Sequence, residues 1–156
     1  LSDTATRHVT ELMATLNKGA AEAMTRYPVH ACTDITGFGL LGHALEVALA
    51  SRVRIEISVE SVPLLPEALE LAAMGLVPAG SYSNRYYCTD HVQVPATIDP
   101  LRLDLLADAQ TSGGLLIFLP LSLAPSLLDI LHAEGTLDAA IICEVTQGDA
   151  GQIALR

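Results

Sequence analysis

The chain has 156 residues, of which 51% are apolar and 17% charged. That is the length of one domain with enough apolar material for a core, and it excludes intrinsic disorder. Eight basic residues against eighteen acidic ones leave a net charge of −10, so no basic face is available for nucleic acid or an anionic membrane.

One helical stripe, open to a break into two helices, is predicted first. Val9, Leu12, Met13, Leu16, Ala20, Ala23, Met24 and Tyr27 fall in steps of three and four, with Ser2 or Asp3 as the cap, Gly19 as a break and Pro28 as the end. A short strand is expected over His30–Asp34, then a glycine-rich turn and a largely buried helix from Leu40 to Ser51. Val53, Ile55, Ile57 and Val59 alternate with Arg54, Glu56 and Ser58, which predicts a half-buried strand. Pro66 suits the first turn of a helix that runs to Met74, with Gly75 as its stop.

Residues 78–100 hold several prolines and three of the four tyrosines, and predict a long irregular connection. Leu101–Leu106 is a short helix or turn. The unbroken apolar run Leu115–Leu119 suits a central strand buried on both faces. Ser122 is placed as the cap of a helix through His132, ended by Gly135. Ala140–Val145 and Gln152–Leu155 are expected to pair as an antiparallel hairpin. The order predicts an α+β class: a mixed β-sheet with packed helices, in a single domain over residues 1–156.

No apolar run approaches the ~20 residues of a membrane-spanning helix. The N-terminus shows neither a signal-peptide pattern nor an initiator Met, so the chain is expected to be part of a longer one. Cys32, Cys88 and Cys143 are odd in number and form no C-x-x-C pair, which reads as reduced structural thiols in a cytoplasmic protein.

Two polar, glycine-bearing stretches stand out. In Thr33-Asp34-Ile35-Thr36-Gly37-Phe38-Gly39, a carboxylate ends a strand and glycines turn the chain into an apolar helix. A helix start offers free N–H groups to an anion, and Asp34 is an oxygen ligand of the kind Mg²⁺ prefers. On spacing alone, a purely structural role for Asp34 and Thr36, bonding the turn and capping the helix, is the stronger expectation. Asp108-Ala109-Gln110-Thr111-Ser112-Gly113-Gly114 leads into a strand, so it is neither a Walker loop nor a nucleophile elbow. Cys88, Asp90 and His91 lack a second ligand pair at zinc spacing. His43 and Glu46 lie one helical turn apart, and His43 is expected to be a core or helix-surface residue.

Thr33–Glu46, reading T-D-I-T-G-F-G-L-L-G-H-A-L-E, resembles the signature of selenophosphate synthetase, also called selenide, water dikinase. V-P-L-L-P-E-A-L-E-L-A-A-M-G, then Gly80 with Asn84, then D-A-Q-T-S-G-G-L-L are similar to further stretches of that family in the same order. Ala109 stands where the family has proline, and residues 84–91 are less family-like. The F-G-L-L-G-H continuation separates this branch from other relatives of aminoimidazole ribonucleotide synthetase.

The resemblance implies the fold of that superfamily's C-terminal domain. It implies an enzyme that uses ATP, selenide and water with Mg²⁺ as a homodimer, and whose N-terminal ATP-binding domain partners this one. On that basis Asp34 is the expected Mg²⁺ ligand, and Thr36, Gly37 and Gly39 the expected cofactor-facing residues. No catalytic nucleophile is expected in this chain, which alone is expected to be inactive. The alternatives are another synthetase or kinase of the superfamily, or a non-catalytic ligand-binding or regulatory module.

Overall fold

The computed structural model describes residues 2–156; Leu1, the first residue of the expected domain, lies outside them. The chain is α+β, with a mixed four-stranded sheet on which α3 packs, a separate two-stranded pair, and further helices around them. Helices α1 (Asp3–Ala14) and α2 (Lys18–Met24) open it. Ser2 caps α1, its Oγ accepting from the Ala5 N–H at 3.1 Å. The expected break falls at residues 15–17 instead of at Gly19, which lies inside α2. Of α1 only Ala5 is buried, and Leu12 and Met13 stay exposed.

Strand β1 (Ala31–Asp34) leads into α3 (Gly39–Ser51), and α3 into β2 (Arg54–Ile57). Helix α4 is shorter than expected, Ala68–Ala73, with Pro66 lying before it. The irregular connection expected over 78–100 is a correction: Ala79–Cys88 forms α5, followed by a 3₁₀ turn and the two-residue strand β3 (Val92–Gln93). Tertiary bonds hold this helix. Arg85 pairs with the buried Asp104 at 2.6 Å, and Ser81 donates to Asp108. Asp104 belongs to α6 (Pro100–Leu106), capped by Asp99.

Strand β4 (Leu115–Phe118) is not central, since it pairs only with β1, antiparallel, in a two-stranded sheet. Both its faces are nonetheless packed, which explains its unbroken apolar run. Leu116 and Phe118 join the main core, while Ile117 packs with Ala23, Leu127 and Leu131 in a second cluster. Helix α7 (Ala124–Ala133) starts after a 3₁₀ turn, so Ser122 is not its cap.

The final two strands, β5 (Cys143–Thr146) and β6 (Gln152–Leu155), do not form the expected hairpin. β2 lies between them, antiparallel to β5 and parallel to β6, in the order β3-β6-β2-β5. β2 carries two fully buried isoleucines, Ile55 and Ile57, which suits an interior strand. Their faces meet Ile153 and Leu155 of β6 and Leu41, Ala44, Leu45 and Ala48 of α3. Each such large apolar side chain contributes about 1.5–3 kcal/mol on burial. Arg54, Glu56, Glu144 and Arg156 interlink by ion pairs, so their side of the sheet is charged.

Candidate functional site

Both glycine-bearing stretches come together at one place. Asp34 ends β1, exposed, and its Cα partner is Leu115, directly after the second stretch. Beyond it the backbone is stitched across: the Ile35 N–H donates to Gly114 O at 2.9 Å, and the Gln110 N–H donates to Thr36 O at 2.9 Å. Thr36 O also accepts from the Gly39 N–H at 3.1 Å, which closes the first turn.

Two glycines make this approach possible. Gly39 has φ +67°, and a Cβ there would stand 2.6 Å from the Ala107 carbonyl carbon. A Cβ on Gly113 would overlap the Ile35 carbonyl oxygen. A third element clamps the pair: Asn84 of α5 donates to Gly37 O at 2.9 Å and to Ala107 O at 3.0 Å. Asn17, between α1 and α2, adds a bond to Gly113 O at 2.9 Å.

Helix α3 begins here without a side-chain cap; its N-cap is Phe38. Capping by Thr36, the structural role open on spacing alone, is therefore not what the geometry shows. The Thr36 hydroxyl instead lies 3.1 Å from His43 Nε2, and His43 Nδ1 lies 3.0 Å from Glu46 Oε2. His43 is only 7% exposed, and the Phe38 ring stands beside it at a centroid distance of 5.6 Å. Sequence reading paired His43 with Glu46 by helical spacing. It missed Thr36 as the third member, because that contact crosses the boundary between turn and helix. It also missed the clamping role of Asn84, whose helix had no local signal.

Among the described residues, no group of three or more His, Cys, Asp or Glu side chains is assembled to hold a metal ion. Cys88, Asp90 and His91 therefore form no such centre. Asp34 is one exposed carboxylate, a donor type that suits a hard cation but is no complete site by itself. The three cysteines are free thiols. Burial raises the Cys88 thiol pKa. Cys32 is raised by burial and then by the Asp34 charge, and Cys143 is pushed up to about 11 by burial and then by Glu144. None is activated as a nucleophile, since the reactive form is the thiolate. An open cavity of about 420 Å³ between β4, α7 and β5 is walled largely by apolar side chains and includes no residue of either turn.

The family model for the C-terminal domain of AIR synthase related proteins matches residues 3–156, and the chain belongs to that family. Within it, the chain is similar to proteins named selenide, water dikinase, as the four motifs indicated. It is 47% identical over 137 residues to the one from Clostridioides difficile (strain 630), covering 88% of this chain and 39% of the relative. It is 44% identical over 146 residues to the one from Caldanaerobacter subterraneus subsp. tengcongensis, covering 94% and 42%. The chain thus spans about two fifths of the length of these relatives. A solved structure of the hydrogenase maturation protein HypE shares the fold, with a TM-score of 0.59 and 22% identity over 91% of this chain and 38% of that one. Among the described residues, no helix is long and apolar enough to cross a membrane.

Proposed function

We propose that this chain is the C-terminal domain of a selenide, water dikinase, an enzyme that makes selenophosphate, AMP and phosphate from selenide, ATP and water. The observation that carries the proposal is the convergence of three family-like stretches. The Thr33–Glu46 turn, Asn84 and the Asp108–Gly114 turn are hydrogen-bonded into one polar edge. The relatives' names and the covered share of their length support a partner domain of the same polypeptide that binds ATP. The resemblance alone supports a homodimer, and free thiols fit a reduced, cytoplasmic setting.

In this reading Asp34 supplies one carboxylate oxygen to Mg²⁺. When bound, that ion offsets charge on the ATP phosphates and on a transferring phosphoryl group. Thr36, Gly37 and Gly39 form the turn that faces the phosphates, and the start of α3 adds backbone dipoles of favourable sign. Asn84 and Gly113 keep that turn in place, which matters because electrostatic stabilisation depends on preorganised groups. Among the described residues there is no complete phosphate cradle and no activated nucleophile, so the separated domain is expected to turn over no ATP.

Asp34→Asn in the full-length protein tests the proposal. Asn keeps the size and most turn hydrogen bonding, so stability changes by no more than about 1 kcal/mol. AMP formation falls by orders of magnitude while the melting temperature holds. Near-normal turnover would remove Asp34 from the site and leave the turn structural.

A further inference from the structure

We propose that His43, oriented by Glu46, is a positioning residue that holds the Thr36 hydroxyl with its proton turned inward, leaving the hydroxyl lone pairs as an acceptor for the hydrated divalent cation beside Asp34. The inference rests on the reading of this turn as the cation- and phosphate-facing edge.

The proton assignment follows from the donor inventory. A carboxylate only accepts, so the 3.0 Å contact of Glu46 Oε2 with His43 Nδ1 places the ring proton on Nδ1. With that as its single proton, the ring presents a bare lone pair at Nε2. In this tautomer Thr36 Oγ1, 3.1 Å from Nε2, donates its one proton there. Both lone pairs of Thr36 Oγ1 remain for other partners. Thr36 is a half-buried residue, two positions from the exposed Asp34 in the same turn.

The position itself argues for purpose. His43 sits on α3 between Gly42 and Ala44, all buried, where an apolar side chain would fill space with no polar partner needed. A polar group buried this far is costly unless bonded, and both ring nitrogens are engaged. Glu46 is half exposed, its side chain 53% accessible, yet is tethered back to the ring. The Phe38 ring beside His43 limits its reorientation. An outer group that fixes a ligand in this way is commonly worth about 10–100-fold in metal affinity.

The test uses the full-length protein with Mn²⁺ as the spectroscopic probe for the cation, alongside kcat and KM for ATP. Thr36→Val and His43→Phe should each weaken Mn²⁺ binding about tenfold. The double variant should be no weaker than Thr36→Val, because His43 acts through Thr36. His43→Gln, whose amide oxygen can accept the hydroxyl proton, should retain most of the binding. Nitrogen NMR should show the Nδ1–H tautomer at His43, with that preference lost in Glu46→Ala. Normal Mn²⁺ binding in Thr36→Val, or an undiminished His43→Phe effect in the Thr36→Val background, would overturn the proposal. If Asp34→Asn abolishes binding while Thr36→Val does not change it, only this inference fails. If neither changes it, the cation reading of the turn fails with it.

Discussion

The side-chain amide of Asn84 donates to the backbone carbonyl of Gly37 at 2.9 Å, tying a helix to a turn 47 residues away in sequence. Its second bond, to Ala107 O at 3.0 Å, reaches the chain just before the other turn. One amide therefore fixes the distance between the two glycine-bearing stretches.

Asn84→Ala leaves both carbonyls without that donor, and Ala107 is fully buried. An unsatisfied buried acceptor costs about 1–3 kcal/mol, and for a domain of this size each kcal/mol lowers the melting temperature by about 2–4 °C. Asn84→Asp should be worse than Ala, since it aims a carboxylate oxygen at two carbonyl oxygens. Thermal melts of the three proteins check this order. Equal melting temperatures for Asn84→Ala and the parent would show that the clamp contributes nothing to stability.

Gly113 and Gly114 give a paired prediction. A methyl group on Gly113 overlaps the Ile35 carbonyl oxygen and meets Gln110 Cβ at 3.1 Å, whereas one on Gly114 finds nothing within 4 Å. Backbone cannot rotate away as a flexible side chain does. Gly113→Ala should therefore cost about 1–3 kcal/mol as an overpacking change. Gly114→Ala should stay within about 0.5 kcal/mol of the parent. Chemical denaturation of both variants measures the difference, and equal costs would contradict the close packing of the second turn on β1.

What could be read in the sequence follows from the range of the forces involved. The alternation around Ile55 and Ile57 and the apolar surround of Leu41, Ala44 and Leu45 are local patterns: the helix expected from Leu40 to Ser51 is α3, Gly39–Ser51, and the strand expected over 53–59 is the shorter β2, Arg54–Ile57. Helix α5 was missed because it has little apolar periodicity. Arg85–Asp104, Ser81–Asp108 and the Asn84 clamp secure it, all to residues at least 19 positions away. Strand order was equally hidden, because the segment after β5 is compatible with a hairpin until β2 claims the place between β5 and β6. For Leu115–Leu119, two packed faces were legible from composition, but partner number was not. At the site, Asp34 and the glycines declared themselves by motif, while the Thr36–His43 contact needed the turn's folded geometry.

The last prediction concerns Cys143 and alkaline pH. Burial, and then the neighbouring Glu144 charge, push its thiol from 9.0 up to about 11 in the folded chain. Below pH 9 the thiol is protonated both folded and unfolded, so it adds no pH dependence. Between pH 9 and 11 the unfolded chain releases this proton and the folded chain keeps it. The unfolded state then binds fewer protons, so stability falls as pH rises through that window and levels off above it. The useful quantity is the difference between the parent and Cys143→Ala, which isolates this thiol. Urea unfolding at pH 8, 9, 10 and 11 should show the parent losing stability faster than the variant across the upper interval. Alkylation gives an independent check: iodoacetamide should modify exposed Cys32 well before Cys143 near pH 8, because a raised pKa leaves little thiolate at a partly buried site. Parallel pH curves together with early labelling of Cys143 would show that β5 does not shield this side chain as the fold places it.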